Sequence, residues 1–179
     1  MRYMLLLFFT ASYFPTNAQL ITFKNNAKIY LVRHAEKLTG DDPLLTIEGN
    51  KRAGDLMRAL KDKEIERIYI TEYKRTQHTG DSLRIQLGID TVHYLSDTSC
   101  IDLMSKLKAN QDLNRTILII GHSNTLPTII RKLGLLDYAP ADIPSNEFDN
   151  LFFMKFKEGT PSLTKMKFGE PSGASAMMK

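Results

Sequence analysis

The run Ile29-Tyr30-Leu31-Val32 leads without a break into Arg33-His34-Ala35-Glu36-Lys37. Four apolar residues rich in β-branched and aromatic types have the length and composition of a buried strand. The polar cluster then falls where that strand must end. In open α/β sheets ligands bind beyond the carboxyl ends of strands, so a cluster placed there is a candidate site rather than only the start of a solvated loop. The chain also contains a second case. Thr116 to Ile120 is the clearest strand of all, and Gly121-His122-Ser123-Asn124 follows it directly.

Between these two strands the pattern alternates. Thr46 is placed to cap a helix with Glu48 in its first turn, and Ala53, Leu56, Met57 and Leu60 keep the i, i+3, i+4, i+7 spacing of one apolar face. Arg67 to Thr71 reads as a strand. Polar residues from Glu72 to Gln77 lead into a helix carrying Leu83 and Leu87 and stopped by Gly88. Thr91 to Leu95 is a third strand, and Asp97-Thr98-Ser99 is placed to cap a helix bearing Ile101, Met104 and Leu107. Thr125 to Leu133 reads as helix with Gly134 as its stop, and residues 135 to 147 as loop. Leu151–Phe156 and Ser162–Phe168 read as two strands joined through Glu158-Gly159-Thr160-Pro161, a hairpin at a sheet edge. Strands alternating with helices predict an α/β domain over residues 20–170 with a mostly parallel sheet covered on both faces.

The two chain ends read differently. Arg2 precedes an uncharged apolar stretch from Tyr3 to Phe14, and Thr16-Asn17-Ala18 offers small and polar residues before a cut near Gln19. Residues 1–19 therefore read as a cleaved export signal, too short in its apolar part for the roughly 20 residues a membrane span takes. The expected location is periplasmic or extracellular, with no stable span after cleavage. Residues 171–179 read as a disordered tail, with fraying expected from Gly169. The net charge of +4 is modest and no dense Lys/Arg run points to nucleic acid. Cys100 is the only cysteine, which excludes an intramolecular disulfide and a Cys-rich metal site.

His34, His122, Arg33 and Arg75 all follow predicted strands. Converging at one sheet edge they would form a cationic pocket for a tetrahedral dianion, since the guanidinium fork binds phosphate oxygens in pairs. Ser123 and Asn124 would add backbone N–H groups at a helix start. A neutral imidazole there can attack phosphorus and form a covalent phosphohistidine, while the remaining cations stabilise the transferring oxygens.

Four segments carry a family resemblance. Leu31-Val32-Arg33-His34-Ala35-Glu36-Lys37 resembles the Arg-His-Gly/Ala signature of the histidine phosphatase superfamily, also called phosphoglycerate-mutase-like. Leu45 to Ala53 is similar to its Leu-Thr-x-x-Gly-x-x-Arg-Ala helix start, and Thr71 to Thr79 to its Ser-x-x-x-Arg-x-x-x-Thr segment. Gly121-His122-Ser123-Asn124-Thr125 matches its second-histidine motif. The resemblance implies a three-layer α/β/α sandwich, His34 as the phosphorylated nucleophile, Arg33, Arg75 and His122 as the phosphate pocket, and no metal or other cofactor. It implies hydrolysis of phosphomonoesters, either small molecules or surface groups. Gly40 stands where many relatives carry a phosphate-touching Asn. Candidates for protonating the leaving group are Asp97, Glu36 and Asp102. Competing readings are an exported anion-binding module without turnover, a phosphohistidine phosphatase acting on proteins, and a metal hydrolase using His34, Glu36, His122 and a later Asp, which two neighbouring arginines disfavour.

Overall fold

The structure, a computed structural model, describes residues 23–172. The expected export signal and the expected tail beyond Ser172 lie outside the described residues.

Strand β1 (Lys28–Arg33) lies parallel to β4 (Thr116–Gly121) at the middle of a six-stranded sheet. Their register pairs Arg33 with Gly121, so the two histidines that follow leave the sheet side by side. Strand β2 (Arg67–Thr71) pairs parallel with the other side of β4, and β3 (Thr91–Tyr94) pairs parallel with β2. On the far side β5 (Asn150–Lys157) runs antiparallel to β1, and β6 (Thr160–Lys167) closes the edge antiparallel to β5. The sheet order is β3-β2-β4-β1-β5-β6, mostly parallel as expected.

Helices cover both faces. Tyr30, Val32, Leu118 and Ile120 point to one core with Leu56 and Leu60 of helix α1 (Ile47–Leu60) and Leu83 of α2 (Lys74–Leu87). Ile29, Leu31, Ile117 and Ile119 point to the other, with Leu103 and Leu107 of α3 (Ile101–Ala109) and Ile129 and Ile130 of α4 (Leu126–Lys132). A strand buried on both sides has no polar face to show, which is why β1 and β4 read as continuous apolar runs. The architecture is a three-layer α/β/α sandwich.

Thr46 caps α1 as expected, its Oγ1 accepting from the Gly49 N–H at 3.0 Å. Helix α2 begins at Lys74, earlier than the polar run suggested. Its cap comes from a distant loop, where the Asp42 carboxylate accepts from the Lys74 N–H at 2.9 Å. The hairpin turn is shorter than expected. Glu158 and Gly159 alone form it, with φ of 51° and 77°, and Thr160 and Pro161 already belong to β6. Two left-handed residues match the twist of a hairpin, and an edge strand tolerates the missing proline N–H. The chain is still tied down at Ser172, past the expected onset of fraying. Its Oγ donates to Asp149 Oδ1 at 2.8 Å and accepts from the Phe148 N–H at 2.8 Å. Among the described residues no helix is long and apolar enough to cross a membrane.

Candidate active site

The carboxyl ends of β1, β2, β3 and β4 surround an open cleft of about 510 Å³. Arg33, His34, Arg75, His122, Ser123 and Asn124 all line it. The structure thus brings together the six residues expected at a phosphate pocket. Lys37, Tyr73 and Ser96 line it too. Tyr73 and Ser96 sit in no recognisable pattern and reach the cleft only because β2 and β3 end beside it.

His34 is 3% exposed. Its Nδ1 lies 2.8 Å from the Ala35 carbonyl oxygen. A carbonyl only accepts, so Nδ1 carries the proton and Nε2 keeps its lone pair. Burial pushes the His34 imidazole down to about 3; the Ala35 carbonyl pulls the other way, and His122, Arg33 and Arg75 add to the fall. At neutral pH the ring is uncharged with a free nitrogen, the state a nucleophile needs.

The loop carrying His34 is held from three sides. The His34 N–H donates to the Gly121 carbonyl at 2.9 Å, which locks it to β4. The Ala35 N–H donates to Thr79 Oγ1 at 2.9 Å, and that hydroxyl donates to the Arg75 carbonyl at 2.6 Å. The Glu36 carbonyl accepts from the Thr46 N–H at 3.0 Å. Gly49 is packed so closely here that a Cβ would stand 2.1 Å from that same carbonyl oxygen. Only glycine fits the α1 start against the nucleophile loop.

Glu36 is a scaffold residue, which corrects its candidacy as proton donor. Arg52 Nε donates to both carboxylate oxygens at 2.9 and 2.8 Å, and Nη2 donates to Oε1 at 2.6 Å. Arg52 is itself buried and reaches the Glu170 carbonyl at 3.0 Å. Both carboxylate oxygens are thus taken up by a buried guanidinium and point away from the cleft lining. Asp97 is displaced as well: it is exposed and accepts from the Ser99 and Cys100 N–H groups at 2.8 and 3.0 Å, capping the turn before α3. The Ser99 hydroxyl beside it holds its carboxyl below the usual range. Asp102 accepts from the Leu95 N–H and from Lys106 Nζ at 2.9 and 2.7 Å. None of the three lines the cleft.

His122 is 6% exposed, its ring 5.3 Å from that of His34. Burial pushes it down to about 4; Arg75 lowers it further, Glu72 raises it and Arg33 lowers it. Its Nε2 is 3.1 Å from Thr71 Oγ1, which leaves Nδ1 as the ring nitrogen for a ligand. Its N–H donates to Thr125 Oγ1 at 3.0 Å, so the hydroxyl expected near the α4 start fastens the histidine turn instead.

The arginines are braced but not neutralised by carboxylates. Arg33 Nη1 donates to the carbonyls of Pro144, Ser145 and Glu147 at 3.2, 2.9 and 3.2 Å, and its guanidinium lies 4.1 Å above the Phe148 ring. Arg75 rests 4.0 Å above the Tyr73 ring, which meets His122 edge-on. The Nε of each is buried without a hydrogen-bond partner. A buried donor left open costs about 1–3 kcal/mol unless a ligand satisfies it. Burial lowers Arg33 as well, Glu36 opposing and Arg75 adding.

Among the described residues no group of three or more His, Cys, Asp or Glu is arranged to hold a metal ion. Cys100 is buried before α3 and far up in pKa, at about 11, chiefly by desolvation. It packs in the core as a structural thiol.

The family model of the histidine phosphatase superfamily, branch 1, matches residues 29–97. That stretch holds the first three of the four motifs and is what the chain shares with the superfamily. No functionally curated protein matches it. Solved structures share the fold. The protein histidine phosphatase SixA, complexed with tungstate, is 19% identical, covering 78% of this chain and 96% of its own at a TM-score of 0.60. Phosphoserine phosphatase from Entamoeba histolytica with phosphoserine is 18% identical, covering 79% and 96% at 0.57. Alpha-ribazole phosphatase from Shigella flexneri is 15% identical, covering 78% and 96% at 0.60. The chain thus shares the α/β/α fold of these phosphoglycerate-mutase-like structures.

Proposed function

We propose that the protein is a phosphatase that hydrolyses phosphomonoesters through a covalent phosphohistidine on His34. One observation carries this reading: a neutral, buried imidazole with its Nε2 lone pair free shares a cleft with two guanidinium groups whose Nε donors have no partner. Three cations, Arg33, Lys37 and Arg75, line the cleft, and no carboxylate does. That is a lining for a dianion.

In the first step His34 Nε2 forms a bond to phosphorus as the ester P–O bond breaks, and the leaving oxygen takes a proton. In the second a water oxygen attacks the phosphohistidine, the P–N bond breaks and orthophosphate departs with His34 restored. Arg33, Arg75 and His122 stabilise the oxygens in flight, the largest kind of contribution in phosphoryl transfer. Neither step uses a cofactor. The substrate is a small or surface-exposed phosphomonoester, and the N-terminal segment directs export; fractionation of cells with N-terminal sequencing of the secreted product checks the latter.

The deciding experiment is a panel of phosphomonoesters assayed with the mature protein and with His34→Ala, combined with trapping of an acid-labile, base-stable phosphoenzyme. Label on the wild type and none on the variant is expected. No hydrolysis of any panel member, or turnover retained by His34→Ala, overturns the reading.

A further inference from the structure

Arg75 is placed where little in its surroundings favours its charge. It is the second residue of α2, at the positive end of that helix's dipole, and no acidic residue of the first turn offsets it. Arg33 shares the cleft and opposes it with a like charge. No carboxylate lines the cleft around it, and its Nε is buried without a hydrogen-bond partner. A long side chain in such a place must still be aimed, because ordering it only when a ligand arrives weakens binding.

The two arginines meet this need differently. Arg33 donates from Nη1 to three backbone carbonyls and lies over Phe148 as well. Among the described residues no such set of acceptors holds Arg75, whose guanidinium carbon instead lies 4.0 Å from the centroid of the Tyr73 ring. Tyr73 is itself well fixed, at the N-cap position of α2. Its carbonyl accepts from the Thr76 N–H at 3.1 Å and from Thr76 Oγ1 at 2.8 Å. Its N–H donates at 3.4 Å to Thr71 Oγ1, the hydroxyl that also meets His122. Its ring stands at right angles to the His122 ring, with centroids 5.5 Å apart.

A ring face attracts a cation through its quadrupole and carries no net charge. A carboxylate in the same place would aim Arg75 as well, but it would also cancel the guanidinium charge and repel a dianion. We propose that Tyr73 is the positioning residue for Arg75, its ring face holding the guanidinium towards the cleft at full charge. The assignment rests on the phosphate pocket of the phosphatase reading. Tyr73 acts through Arg75 and through the face of its ring, so its hydroxyl is dispensable.

The test reads the dissociation constant for orthophosphate by calorimetry. It compares the wild type, Tyr73→Phe, Tyr73→Leu and proteins with 4-fluoro-, 3,5-difluoro- or 3,4,5-trifluorophenylalanine at position 73. Tyr73→Leu should bind about tenfold more weakly, the scale of a desolvated cation–π contact. Tyr73→Phe, which keeps the ring, restores most of that loss. Each fluorine withdraws charge from the ring face at nearly constant size, so binding should weaken in steps towards the Tyr73→Leu value. In an Arg75→Ala background every ring should bind equally weakly. Values of kcat/KM for 4-nitrophenyl phosphate should follow the same order as binding. The fluorinated rings are close to isosteric, so they decide the matter even where Tyr73→Leu fails to fold, and their thermal unfolding should match Tyr73→Phe. A constant that ignores the number of fluorines reduces the ring to a spacer and overturns the proposal. Steps that persist without Arg75 overturn it too, since the ring then acts on another group. A wild type that shows the steps in orthophosphate binding but hydrolyses no ester fails the phosphatase reading and leaves the role of Tyr73 standing. A wild type that binds no orthophosphate removes both.

Discussion

Two buried charge clusters lie at opposite ends of the same sheet, and they are built on opposite terms. At the amino ends of β2 and β4, Asp112 is fully buried and surrounded by partners. Tyr69 donates to its Oδ2 at 2.5 Å, Arg67 Nε approaches that oxygen at 3.1 Å and Arg115 Nε approaches Oδ1 at 3.3 Å. The acid and its bases answer one another, and Asn110 closes the set on Tyr69. At the carboxyl ends Arg33 and Arg75 have aromatic and carbonyl neighbours but Nε donors without partners. Arg67 Nε and Asp112 Oδ1 also lack a hydrogen bond, but there each charge has an opposite charge within 3.3 Å, whereas no carboxylate lines the cleft beside Arg33 and Arg75. Both contain a buried charge, Asp112 in one and Arg33 in the other, so burial of charge does not mark a site. Missing compensation does.

This contrast predicts opposite responses to mutation. His34→Ala should cut phosphomonoester turnover by about 10⁴-fold, roughly 5 kcal/mol of transition-state stabilisation, with little loss of folding stability at pH 7. Steady-state kinetics beside urea unfolding measures both, and a large loss of stability would show that the cleft is also scaffold. Asp112→Ala should do the reverse. Leaving Arg67, Arg115 and Tyr69 without their acid costs about 3–5 kcal/mol of stability, while activity per folded molecule holds. A variant as stable as the wild type would dissolve the distinction between the two ends.

Acid should act chiefly on the cleft. His34 and His122 sit at about 3 and about 4, below the unfolded value near 6.5, so the unfolded chain binds their protons first. Stability contributed by their neutrality is complete above pH 6.5 and declines as pH falls towards 4, by at most about 1.4 kcal/mol per pH unit for each ring. In His34→Ala one of the two slopes disappears, so its unfolding free energy should fall less between pH 6.5 and 4.5. Parallel curves for variant and wild type would sink this account. Orthophosphate gives the gentlest probe. At about 100 times its dissociation constant it should stabilise the wild type by about 2.7 kcal/mol, raising the melting temperature, with the gain lost in Arg75→Ala and kept in Arg115→Ala. A gain that survives Arg75→Ala would place the anion elsewhere.

The strands and the residues at their ends were legible because a doubly buried strand cannot alternate, and because chemistry gathers where such strands stop. Arg33, His34, Arg75 and His122 were recoverable for that reason. What escaped were contacts between segments distant in sequence. Asp42 caps α2 across 32 positions, and nothing local announces it. Glu36 looked available until Arg52, 16 positions on, was found holding it. Asp97 is the local exception: of its two readings, proton donor and cap before α3, the structure shows the cap, made to residues two and three positions on. The residue that does line the cleft there is its neighbour Ser96, which no pattern distinguishes from any other loop serine.

The bracing of Arg33 has a consequence for how such a protein diversifies. Pro144, Ser145 and Glu147 hold its Nη1 through backbone carbonyls alone. Every amino acid supplies the same carbonyl, so the side chains at these three positions are under no obligation to the clamp. The loop can be rewritten residue by residue while the arginine keeps its grip, provided the course of the main chain survives. The position of this guanidinium is thereby inherited through a backbone path and not through the identity of the residues that trace it.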